Sequence, residues 1–272
     1  MADSVASLQN YVTYDEDMEM LSLYIRKQNR KVLAPEMTEL ECADKLQWVN
    51  ASRNPGLTIP DSFDFTRLKG LKYLNLSRCG LTEFVGGLCD LPKLETLVLS
   101  NNNVRKFPDS LAPLQNLNSL CLDGCNLEMV PDCISTLPAL KTLILIRNKL
   151  QQIPPTFYKL GKLKVLNLAH NQFPAFPNSL CTESHRPAGS SVPKNLKSLH
   201  LSCNSLTAFP EVVFDMPLLT HLYLNGNKIT SLPNCPEFRA KLEGIACVIG
   251  LQHISKATRK SRKRNRSETL QG

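Results

Sequence analysis

The sequence predicts an α/β fold of the solenoid type: a curved stack of short units, with a parallel β-sheet on the concave face and an irregular or 3-10 convex side. Three observations predict it. The pattern LxxLxLxxNxL starts at Leu71, Leu94, Leu117, Leu140, Leu163, Leu196 and Leu219, spaced by 23 residues except for one interval of 33. Within each unit the LxL pair, such as Leu97 and Leu99, has the period of a strand with both leucines on one face. No unit of this size can bury its leucines alone, so neighbours must stack and share one elongated core.

The remaining positions of the unit follow from the same geometry. Asn102, Asn148, Asn171, Asn204 and Asn227 fall where the chain leaves the strand. An amide there can satisfy turn backbone, and stacked copies make a ladder. Cys79 and Cys125 take the same position and read as structural thiols. An apolar-Pro pair follows in most units, from Phe107-Pro108 to Leu232-Pro233, with Val85 where the proline would fall in the unit at Leu71. Leu111, Ile134, Phe157, Leu180 and Val213, with Leu91, Leu114, Leu137 and Leu160, are expected to close the core from the convex side. A degenerate first unit is read from Leu46, Val49, Ala51, Asn54 and Ile59-Pro60, giving about eight repeats over 46–233.

This pattern resembles the leucine-rich-repeat family, and within it the intracellular 23-residue class with an LxxLP segment. Ras-pathway scaffold proteins, Ras-suppressor proteins and plant intracellular Ras-group proteins carry that class. The resemblance covers residues 46–233. It implies a leucine-rich-repeat solenoid shaped as a horseshoe, and a partner in small-GTPase, kinase or phosphatase signalling.

Both ends of such an array need caps. Residues 1–45 are read as an N-terminal cap, with Leu21, Leu23 and Ile25 as a vestigial strand and the first 18 residues expected to be mobile. Residues 234–255 are assigned to a C-terminal capping helix, because Phe238, Leu242, Ile245 and Ile249 lie on one helical face. The long interval holds a ten-residue insertion near 182–193, rich in Ser, Pro and Gly, expected on the convex side or a rim.

Charge is uneven. Of 272 residues, the first 45 carry 9 acidic and 5 basic side chains, and the last 17 carry 7 basic and 1 acidic. Arg259, Lys260, Arg262, Lys263, Arg264 and Arg266 form a basic tail read as a nuclear-import signal, a polyanion-binding segment or a solvated end. No run of 18 apolar residues exists, so no membrane-spanning helix is expected. The start lacks the basic and apolar regions of a secretory signal, so the ten cysteines are read as reduced thiols of an intracellular protein, cytoplasmic and, through the tail, nuclear.

The sequence contains no phosphate-binding loop, nucleophile elbow, HExxH or CxxC motif, so no enzyme, cofactor or metal is expected. The expected function is a non-enzymatic interaction scaffold that binds a partner protein on the concave face. Three outward columns follow from the strand phase. The first runs Asn75, Val98, Cys121, Ile144, Asn167, His200, Tyr223, the second from Ser77 through Asp123 and Ile146 to Asn225, and the third from Tyr73 through Val165 to His221. Val98, Cys121, Ile144 and Ile146 form an apolar patch of the kind that marks a contact surface. His200, His221 and Tyr223, with Cys203 grouped beside them, are read as polar hot-spot contacts, Tyr223 foremost, and Tyr73 is a further contact residue of the face. Lys141, Lys164 and Arg147, with Lys72, Lys197 and Arg78, outnumber Glu95 and Asp123 and should attract an acidic partner surface. The alternative is a nuclear nucleic-acid- or ribonucleoprotein-associated protein that uses the tail.

Overall fold

The computed structural model describes residues 12–15, 20–26, 40, 42–60, 63–176, 193, 195–232, 242–243 and 245–248. They contain an eleven-stranded sheet in which sequence order is also spatial order. Its strands are β1 (Val12–Asp15), β2 (Met20–Tyr24), β3 (Leu46–Asn50), β4 (Tyr73–Asn75), β5 (Thr96–Val98), β6 (Ser119–Cys121), β7 (Thr142–Ile144), β8 (Val165–Asn167), β9 (Ser198–His200), β10 (His221–Tyr223) and β11 (Ala246–Val248). All neighbours pair in parallel except β1 with β2. The sheet is open, as a curved leucine-rich-repeat solenoid requires.

The repeat sets the register. Leu74, Leu97, Leu120, Leu143, Leu166, Leu199 and Leu222 are successive Cα partners. All seven point inward and are buried, together with the second leucine of each pair. The convex wall is built from 3-10 turns at Phe65–Arg67, Gly86–Asp90, Asp132–Thr136, Pro155–Lys159 and Glu211–Asp215. Leu88, Ile134, Phe157 and Val213 enter the core from these turns, and Leu111 occupies the matching place in its unit. Phe157 and Phe173 are the largest fully buried side chains.

The ladder is formed as its chemistry demands. Asn102 Nδ2 donates to the carbonyls of Leu76 and Leu99, and its Oδ1 accepts from the backbone N–H groups of Cys79 and Leu81. Asn148 repeats the pattern with Leu122, Leu145, Cys125 and Leu127. Each amide therefore ties its own unit to the preceding one through four backbone groups that would otherwise be orphaned. Cys79 and Cys125 keep part of this. Their thiols donate to the carbonyls of Ala51 and Leu99, at 3.2 and 3.3 Å. Burial pushes the Cys125 thiol up to about 11, which keeps it a neutral donor.

At the N-terminal end β1 pairs antiparallel with β2 and places Val12 against the core. A β-branched and aromatic segment, VTYD, covers an edge that would otherwise stand open. At the other end the capping helix assigned to 234–255 does not run through. Leu242 and Glu243 are helical, but Ala246–Val248 is β11, which extends the sheet beyond β10. Leu224 N–H donates to the Val248 carbonyl and Ala246 N–H to the Thr220 carbonyl, so this strand satisfies the edge that a helix would leave unpaired. Ile245 and Cys247 both pack against the core at strand spacing. The insertion lies outside the described residues except for Pro193, which is buried.

Candidate functional site

The concave face is assembled from residues that alternate with the buried leucines. Asn75, Val98, Cys121, Ile144, Asn167, His200 and Tyr223 are successive Cα partners, so the first predicted column is a physical row. Tyr73, Thr96, Ser119, Thr142, Val165, Ser198 and His221 form a second row two residues earlier. Adjacent members lie about 4.8 Å apart. Val98, Cys121 and Ile144 are therefore in line at the centre, with Ile146 and Val165 beside them, all five half-buried. Burial raises the Cys121 thiol from its ordinary value, which makes it an apolar contact rather than a nucleophile.

Ring stacks flank this centre. Towards the N-terminal end, Trp48 lies flat on Tyr73 with ring centroids 3.4 Å apart and planes 5° from parallel. Sequence reasoning missed Trp48. The signal was its place two residues after Leu46, equivalent to Tyr73 after Leu71, but it sits in the degenerate unit. β3 also carries an irregularity here, since Leu21 pairs with Leu46 and Ser22 with Trp48. Gln47 is thus an extra residue relative to β2, while Trp48, Val49 and Asn50 pair with Tyr73, Leu74 and Asn75 without a shift. Towards the C-terminal end, His200 stacks on Tyr223 at 4.3 Å, and His221 lies 6.5 Å from the same ring. One ring nitrogen of each histidine is engaged by a neighbouring hydroxyl: Nε2 of His200 by Ser198 Oγ, and Nδ1 of His221 by Thr220 Oγ1, both at 2.9 Å. Burial, and secondarily the charge of His221, lowers the pKa of His200. Cys203, grouped with these residues in the sequence, belongs elsewhere, because it follows the strand at φ 54° and sits on the margin beside Gly226.

That margin is a third row, also missed in part. Arg53, Arg78, Asn101, Gly124, Arg147, His170, Cys203 and Gly226 precede the ladder residues, and every one has positive φ. This conformation costs an ordinary L-residue about 1 kcal/mol and suits Gly and Asn. Three arginines nevertheless occupy it, at φ 59°, 57° and 53°, and all three are exposed. The opposite margin carries Lys72, Lys141, Lys164 and Lys197, all exposed, with Glu95 interrupting them. The sheet is thus edged with cations on both sides. Its interior acid, Asp123, is paired with Arg147 at 3.7 Å, and its second oxygen is buried without a hydrogen-bond partner among the described residues. The tail cations Arg259, Lys260, Arg262, Lys263, Arg264 and Arg266 lie outside the described residues.

A second concavity of about 910 Å³ lies off the sheet, between the turns of three consecutive units. Phe107, Met129, Pro131, Ile153 and Pro154 line it, together with Arg105, Glu128 and Lys149. Its charges are mixed in sign. Among the described residues no helix is long and apolar enough to cross a membrane.

Comparison with known proteins agrees with this architecture. A family model described as "Leucine rich repeat" matches residues 115–173 and 193–236, and one described as "Leucine Rich repeats (2 copies)" matches 69–114. No curated protein matches the sequence. Among solved structures, a leucine-rich-repeat protein of Leptospira interrogans is similar over 89% of this chain, with 26% identity and a TM-score of 0.71. The Toll–Spatzle complex of Drosophila contains a chain similar over 78%, with 22% identity and a TM-score of 0.61. A TLR13–ssRNA13 complex contains one similar over 77%, with 27% identity and a TM-score of 0.61. The present chain spans 56% of the length of the Leptospira chain and 27% and 28% of the other two.

Proposed function

We propose, for a chain that belongs to the leucine-rich-repeat family, that its concave sheet is the binding surface for a partner protein and that its role is to scaffold rather than to catalyse. One observation carries this reading. Val98, Cys121 and Ile144 are consecutive members of one row on regular strands, half-buried and apolar, with Lys141 and Arg147 on either side of the row at Ile144. Apolar side chains in line on an outward face, with a polar rim, are what a contact surface needs. The rings of Trp48, Tyr73 and Tyr223 supply the residue types that dominate binding energy at interfaces. The family generally mediates protein–protein contacts, and the Toll–Spatzle neighbour is itself part of a complex. The resemblance to the 23-residue LxxLP class supports a partner in small-GTPase, kinase or phosphatase signalling. On the same reading the protein works inside the cell, in the cytoplasm and, through the 259–266 run, in the nucleus.

The test is paired affinity purification from cell extract, with wild type and Val98→Asp/Ile144→Asp as baits and mass spectrometry as readout. The double variant should lose the partner while the array stays folded, because neither side chain belongs to the buried core and a substitution outside it costs about 1 kcal/mol. Identical prey from both baits would remove the concave face as the site and direct attention to the Met129 concavity.

A further inference from the structure

Building on the concave face as the binding surface, we propose that the element seated there is an acidic amphipathic helix running across the strands. Its apolar stripe lies on the Val98–Cys121–Ile144 row, and its carboxylates face the two cationic margins. The rows run perpendicular to the strands, so a ligand that follows them crosses one strand about every 4.8 Å. A helix advances about 5.4 Å per turn, close to that spacing, and so presents one stripe residue to each strand. An extended chain presents same-face side chains only every ~6.6 Å and falls out of step. Charge fixes the flanks. Across β4 to β8 one edge carries Lys72, Lys141 and Lys164 against Glu95, and the other carries Arg78 and Arg147, the latter shared with Asp123 at 3.7 Å, so each edge keeps a positive balance. The arginines stand at a backbone conformation that other units of the same row fill with Gly124, Gly226, Asn101, His170 and Cys203. Arg53, Arg78 and Arg147 are the members of that row that bring a full positive charge to this edge. The centre of the face is Val, Cys and Ile, which suits a leucine stripe and offers no site to stack a base.

The experiment uses the full chain and four fluorescent probes. One is a 16-residue helical peptide with a leucine stripe flanked by glutamates. The others are the same stripe flanked by lysines, a scrambled version of the glutamate peptide, and a 16-nucleotide polyuridylate. The glutamate-flanked helix should bind at least about tenfold tighter than the other three, and Arg78→Glu/Arg147→Glu should weaken it by about tenfold or more. Circular dichroism confirms that the variant is folded. Absence of binding by the glutamate-flanked helix, equal binding of the scrambled peptide or the polyuridylate, or indifference to the charge reversal each overturns the proposal. The two readings separate cleanly. If Val98→Asp/Ile144→Asp releases a cellular partner that Arg78→Glu/Arg147→Glu retains, the concave face stands and the acidic helix falls.

Discussion

Arg147 is where backbone and function can be told apart. It sits at φ 53° with its side chain 68% exposed, 3.7 Å from Asp123. Arg147→Gly and Arg147→Ala both delete the charge, but only alanine keeps a Cβ in the left-handed region. The glycine variant should be about 1 kcal/mol more stable than the alanine variant in urea unfolding, while both lose affinity for an acidic ligand equally. Gly124 is the converse case. It stands at φ 63°, and a Cβ there would lie 3.0 Å from Asn101 Oδ1, so no side chain replaces it without strain. His200 sets a pH dependence. Its folded pKa lies below the ordinary 6.5, so the unfolded chain binds the proton more readily. That stabilisation is complete above pH 6.5 and declines as pH falls through that value towards the folded pKa. Thermal melts of wild type and His200→Gln between pH 7.5 and 5.5 check this, with the wild type losing more on acidification.

At the scale of elements, what binds one unit to the next is a side-chain amide and a leucine pair. Asn148 is buried and engages the N–H groups of Cys125 and Leu127 and the carbonyls of Leu122 and Leu145. Asn148→Ala should cost about 3 kcal/mol, measured by denaturant unfolding, because several backbone groups lose their partner at once. The strands, their register and the outward rows were legible in the sequence, since a period of two inside a period of 23 fixes both facing and alignment. Trp48 was not, because it sits in the degenerate unit, where Leu46 precedes Leu71 by 25 residues instead of 23 and the repeat pattern is weakest. β11 was not either. Leu242, Ile245 and Cys247 fit helical and strand spacing over so short a stretch, and only the open edge of β10 decides between them. Arg53 and His170 were missed because what marks their row is a backbone angle, to which hydropathy is blind.

The whole molecule is a one-dimensional array, stable through its nearest-neighbour contacts. The concave face is correspondingly modular, with rings near both ends, an aliphatic centre and cations along both margins, so different segments of a long ligand can be read by different units. The ladder gives this array a direction. From the unit of Asn148 onward, four amides follow one another at Asn148, Asn171, Asn204 and Asn227. Before it, Cys79 and Cys125 alternate with Asn54 and Asn102, and a thiol brings one donor where the amide brings two. The protein should therefore come apart in sequence, with its N-terminal half opening first. In native-state hydrogen exchange, the amides of β3 to β6 should exchange ahead of those of β7 to β9. Cys125→Asn, which restores a bridging amide, should slow the exchange of its neighbours and move the point of fracture towards Cys79.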